Sequence, residues 1–139
     1  MRRALLILLL ATLPASASGH DVSRAADAEG FWMNPKGTVA VHAAACGEAL
    51  CARIVWASAE AEADAAGSVP RLLGTQVLED YRFRGNGVWS GTIFVPDMGR
   101  RFASQIEELS PTRLRIKGCV LRGLLCKSQI WTRVRFVPA

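Results

Sequence analysis

The chain has 139 residues, half of them hydrophobic, and carries 17 Lys and Arg against 12 Asp and Glu, a formal net charge of +5. That length bounds the fold to one domain around a single core. The charge is too mild for a polyanion clamp and suits a soluble protein; no nucleic-acid motif is present either, so no nucleic acid is expected as a partner.

The chain opens MRRALLILLLATLPASASG. Arg2 and Arg3 form a positive n-region, Ala4 to Leu13 an apolar core broken by Pro14, and Ala15-Ser16-Ala17 a small-residue cleavage site. Residues 1–17 therefore read as a secretory signal peptide. The apolar run is about ten residues, short of the roughly 20 that span a bilayer, which weighs against an uncleaved anchor. No later segment is long and apolar enough to be transmembrane, and the expected location is periplasmic or secreted. Cleavage after Ala17 leaves 139 − 17 = 122 residues with a charge of 15 − 12 = +3. It would also expose Ser18-Gly19-His20, whose amine, amides and imidazole suit square-planar Cu(II) or Ni(II). His20 is the single metal candidate, and no cofactor is expected.

Ser18 to Glu29 is a polar lead-in, and the globular domain is read as residues 30–139. Gly30-Phe31-Trp32 precedes an Asn34-Pro35-Lys36-Gly37 turn signal. Residues 38–43 and 52–57 alternate as two strands of a hairpin. Residues 58–70 are acidic and alanine-rich with no apolar stripe to bury, and read as an exposed connection with at most a helical turn. Residues 72–78 read as strand. Tyr81 to Arg84 and 88–95 pair across Gly85-Asn86-Gly87, a tight-turn signal. Residues 100–109, 112–119 and 128–137 complete the series. About eight short strands joined by hairpins predict an all-β fold, a small antiparallel up-and-down barrel.

Alternation assigns faces. Leu114 and Ile116 point one way, and Arg113, Arg115 and Lys117 the other. In the last segment Ile130, Thr132, Val134 and Phe136 share one face, while Gln129, Trp131, Arg133 and Arg135 share the opposite one. The apolar faces are expected inward and the basic faces outward.

Four cysteines allow three pairings. In an oxidising compartment they become disulfides, and local pairing, Cys46–Cys51 and Cys119–Cys126, is the simplest. A zinc site needs closer pairs than these, which are separated by four and six residues. A nucleophilic cysteine needs a base, and His20 and His42 are the only histidines.

Catalysis is not expected. No nucleophile elbow, zinc-peptidase motif, P-loop or dinucleotide fingerprint occurs. The neighbours Glu79-Asp80 and Glu107-Glu108 point to opposite faces of a strand and form no dyad by themselves. An eight-stranded barrel is wide enough to be filled by side chains or to hold one small ligand. Trp56, Tyr81, Trp89 and Phe102 are the candidate lining for a small apolar or amphipathic ligand; core filling is the alternative role. Arg100, Arg101, Arg113, Arg115, Lys117, Arg133 and Arg135 could gather on one wall. There they would face an anionic envelope component, such as lipid headgroups, lipopolysaccharide or acidic glycans.

Five stretches carry a family likeness: Gly30-x-Trp32, CGEALCARIV, LLGTQVL, GVWSGTIFVPDMGRRF and LRIKGCVLRGLLCKSQIWTRV. In this order they make the chain resemble the bacterial exported family catalogued as domain of unknown function 2147. The resemblance implies a closed lipocalin-like barrel and brings no agreed activity. It also implies a structural role for Trp32 on the first strand, packed against Arg133 on the last.

Overall fold

The computed structural model describes residues 27–135, 137 and 138. The signal peptide, the His20 metal candidate and Phe136 lie outside the described residues. Eight strands run β1 Gly30–Met33, β2 Val39–Cys46, β3 Ala49–Ala57, β4 Gln76–Gly85, β5 Val88–Val95, β6 Arg100–Ser110, β7 Arg113–Val120 and β8 Leu125–Val134. Each pairs antiparallel with its neighbour in sequence, and β1 pairs with β8 to close the barrel. The seam is short, Phe31 to Met33 against Thr132 to Val134, so the first part of β8 has β7 as its strand partner.

Turn chemistry sets the hairpins. Asn34 accepts hydrogen bonds through its side-chain oxygen from the backbone N–H groups of Thr38 and Val39, at 2.8 and 3.1 Å. That Asx-type bracket holds the β1–β2 turn, with Gly37 at a positive φ of 67°. Asn86 and Gly87 both adopt positive φ between β4 and β5, which is the hairpin geometry their residue types favour.

The connection after β3 is more ordered than its composition predicts. A helix, α1, spans Ala59–Ala65, and the Ser58 hydroxyl accepts from the Ala61 N–H to cap it. The stripe it buries is made of alanines one turn apart, Ala61 and Ala65, too small to register as amphipathic. The expected strand over 72–78 begins only at Gln76; Leu72 to Thr75 form the loop that follows α1.

Two bulges redirect side chains. In the β2–β3 ladder Ala40 faces Trp56 and Val41 faces Ile54, so Val55 is an extra residue in β3. In the β4–β5 ladder Glu79 faces Thr92 and Arg82 faces Ser90, so Asp80 and Tyr81 together oppose Gly91. Asp80 takes the left-handed conformation at φ 50°, which lets the strand bend there.

The core is uneven along the barrel axis. Trp32, Trp89, Tyr81, Leu50 and Ile106 are among the largest fully buried side chains. All lie towards the end where the β2–β3, β4–β5 and β6–β7 turns meet. That half is packed solid. The other half is walled by Val, Ile and Leu, whose smaller volume leaves space.

Candidate functional site

The space is a cavity of about 520 Å³ opening at the other end of the barrel, where the β1–β2, β5–β6 and β7–β8 turns and α1 gather. Its wall is apolar: Val39, Val41, Ile54, Leu72, Val77, Leu78, Ile93, Phe102 and Ile116. Polar groups collect towards the mouth, with Asn34 and Lys36 from the first turn, Asp64 from α1, Asp97 from the β5–β6 turn, and Lys127 and Gln129 from β8. A volume within ~300–1,000 Å³, an apolar wall and a few polar groups are the attributes of a small-molecule site.

The expected lining is mostly elsewhere. Phe102 does line the cavity, whereas Trp56, Tyr81 and Trp89 do not. Trp56 fails because of the Val55 bulge. Val39 and Val41 face the cavity, so Ala40 between them lies on the other face of β2, where it is fully covered, and Trp56 is paired with Ala40. Without the extra residue the alternation from Ile54 would have brought Trp56 inside.

Tyr81 and Trp89 do point inward, but into the solid half. The Trp89 indole stands edge-on to Phe83 with ring centroids 5.1 Å apart, and its N–H donates to Glu108 Oε1 at 2.7 Å. Tyr81 lies against Gly91: a Cβ on that glycine would come within 2.7 Å of two ring carbons. The Tyr81 and Ser104 hydroxyls are both buried, and neither reaches hydrogen-bonding geometry with a described residue. Burial drives the Tyr81 phenol well above its ordinary value; nearby Ser104 opposes that shift and the Glu79 carboxylate adds to it.

The faces of β8 are reversed from the expectation. Trp131 pairs with the buried Leu114, and Lys127, Gln129 and Trp131 all line the cavity. Ile130 and Thr132 therefore face outward. Hydrophobicity misphased this strand because Arg133, the most polar residue in it, is an inward anchor. Arg133 faces Trp32 across the β1–β8 seam, with its guanidinium carbon 4.2 Å from the indole centroid. Counting back by twos from Arg133 puts 131, 129 and 127 inside; that was the signal available in the sequence.

The solid end is finished by this pair. Arg133 donates to the carbonyls of Pro111, Glu29 and Asp27, and the Trp32 indole N–H donates to Ala28 O at 3.0 Å. Gly30 has φ 124°, and a Cβ there would sit 2.5 Å from the Arg133 Nη1, so both conformation and space exclude a side chain.

The basic outer wall is thinner than expected. Arg133 is turned inward, Arg115 is paired with Glu107, and Arg101 is paired with Glu79. Cys46–Cys51 bridges β2 and β3 at the solid end, and Cys119–Cys126 bridges β7 and β8 beside the mouth. His42 is exposed and stacks on Phe31 at 4.7 Å. Among the described residues no three His, Cys, Asp or Glu side chains gather to hold a metal, and no helix is long and apolar enough to cross a membrane.

A closed eight-stranded meander, solid and arginine-sealed at one end and hollow at the other, defines a lipocalin-like barrel. The chain belongs to the family described as "Uncharacterized protein conserved in bacteria (DUF2147)", whose model matches residues 30–133. A similar solved structure is that of HP1028 from Helicobacter pylori, described as belonging to the lipocalin family. It superposes with a TM-score of 0.59 over 76% of this chain and 82% of that one, at 14% identity. A likeness at that identity speaks for the fold alone. No functionally curated protein matches the chain.

Proposed function

We propose that this protein is an exported, non-enzymatic carrier that takes one small apolar or amphipathic ligand into the hollow half of its barrel. The observation that carries the reading is the 520 Å³ cavity with an aliphatic wall and a polar mouth. An amphipathic molecule places its apolar body against Ile54, Leu78, Ile93 and Ile116 and keeps its head among the mouth groups. Removing apolar area from water is the driving term, at about 25 cal/mol per Å². The reading of residues 1–17 as a signal peptide and the two disulfides support an oxidising, extracytoplasmic location. The alternative, an envelope module with a solid interior and a basic outer face, draws less support from a half-hollow barrel whose outer arginines are partly paired.

The test uses a glycine. A Cβ at Gly118 would meet only Ile93 Cγ2, at 3.7 Å, which is ordinary contact. Gly118 lines the cavity, so Gly118→Leu directs its side chain into that space. Wild-type protein should take up an apolar fluorophore with saturable, one-to-one emission gain, and Gly118→Leu should lose that uptake while keeping its melting temperature. Equal uptake by both proteins would refute the cavity as the binding site. Native mass spectrometry of protein drawn from its own compartment should show a retained small molecule.

A further inference from the structure

We infer that the rim around the cavity mouth is a docking surface for an anionic phospholipid bilayer. This rests on the outside of the rim and stands whether or not the cavity holds a ligand. Among the described residues the exposed large hydrophobic side chains are Leu73, Met98, Leu121, Leu124 and Leu125. All five lie at the open end: Leu73 in the loop after α1, Met98 in the β5–β6 turn, Leu121 and Leu124 in the β7–β8 turn, and Leu125 at the start of β8. Leu121 is 69% and Leu124 87% exposed. Scattered single leucines need no explanation, but a set confined to one end does.

The β7–β8 tip is built to keep its leucines out. Leu121 and Arg122 both take left-handed backbone conformations, at φ 52° and 54°, an arrangement costly for branched or bulky residues. The Cys119–Cys126 bridge joins directly opposed residues just below the turn. Leu125 to Gln129 are exposed throughout, because β1 reaches β8 only at Thr132 to Val134 and leaves this part of the strand uncovered on that side. A covalently closed tip has less ordering entropy to lose on docking than a loose loop would.

Charge selects the occupant. The β7–β8 hairpin, residues 113–134, has no Asp or Glu; of its cations Lys117, Arg122 and Lys127 lie on the mouth side, whereas Arg113, Arg115 and Arg133 lie towards the solid end. Arg122 and Lys127 flank the leucines, and Lys117 faces outward further down β7. Asp64 and Asp97 stand across the mouth from this tip, so the cations that meet phosphates are those beside the leucines. Apolar tips to enter the acyl boundary and cations next to them are the two components of interfacial binding. Docked in this way, the cavity mouth faces the hydrocarbon.

Vesicle flotation of the purified, oxidised protein tests the inference. Protein should float with vesicles of phosphatidylcholine mixed with phosphatidylglycerol, float less in high salt, and float poorly with phosphatidylcholine alone. Leu121→Ser with Leu124→Ser should weaken flotation roughly tenfold or more, because two side chains no longer enter the acyl region. Neither residue lines the cavity, so fluorophore uptake should persist in that variant. A second protein, Leu124→Trp, should show a blue shift in emission on the mixed vesicles. Absence of flotation, flotation unchanged by the serine pair, or no emission shift overturns the inference. So does a concentration-dependent dimer that the same serines abolish, since a second copy would then be the occupant of the rim.

Discussion

The guanidinium of Arg133 sits over the Trp32 indole and reaches three backbone carbonyls, two of them more than a hundred residues earlier in the chain. One side chain thereby joins the last strand, the first strand, the segment before it and the β6–β7 turn. Arg133→Lys keeps the charge but has no planar fork to divide among three acceptors. It should cost about 2–3 kcal/mol by denaturant unfolding, the loss of charge-assisted hydrogen bonds and ring contact at a partly exposed site. Trp32→Ala should cost more, about 3–5 kcal/mol, as large core truncations do. A change below the error of the measurement for both would show that this end does not hold the barrel closed.

Gly91 is expected to be intolerant for a steric reason. Its backbone is unremarkable, but a methyl there would collide with the Tyr81 ring and with Glu79 O at 2.8 Å. Gly91→Ala should lose about 1–3 kcal/mol through overpacking, and Gly91→Ala with Tyr81→Leu should recover part of it. Additive losses in the double variant would show that the two sites are not coupled.

Tyr81 is the only tyrosine, so its ionisation can be followed directly by absorbance. Its native pKa is raised above the unfolded value of 10. Below that pH both states hold the proton and the group contributes no pH dependence. Above it the unfolded chain releases the proton and the native chain keeps it, so stability falls as pH rises. Tyrosinate absorbance should therefore appear together with loss of tertiary structure, not before it. Tyr81→Phe should flatten the alkaline limb. A phenol that titrates near 10 in the folded protein would contradict the buried placement.

The two disulfides close short loops, with partners 5 and 7 residues apart. The chain-entropy model gives each about 2 kcal/mol. Peptide mapping of the oxidised protein should recover Cys46 with Cys51 and Cys119 with Cys126. Cys119→Ser with Cys126→Ser should loosen the mouth, raising proteolysis at the β7–β8 tip while the barrel stays folded. Cleavage at the solid end instead would contradict the placement of that bridge.

The strand count, the hairpin turns and both cysteine pairs were legible in the sequence because each rests on a local signal, whereas the Trp32–Arg133 contact came from the family resemblance and ran against the alternation reading of the last strand. The cavity wall was not. Aromatic residues drew attention as lining, yet Trp89 and Tyr81 are the bulk that makes one half solid, and the hollow is where smaller aliphatic residues face each other. Trp56 was misplaced by one inserted residue, Val55, and a single bulge inverts every face beyond it. The mouth groups Lys127 and Gln129 were misassigned because average hydrophobicity, not Arg133, set the phase of β8. Alanine-only burial under α1 left no apolar signature at all.

The Arg133 clamp also dictates the order of events in folding. Its carbonyl partners at Asp27 and Glu29 are 106 and 104 residues away. Until the final strand has left the ribosome, β1 has an unpaired edge and the Trp32 face has no cover. Nascent hairpins can form locally, but ring closure waits for almost the entire polypeptide. The β1–β8 seam therefore needs residues 27 to 133 all present before it can form.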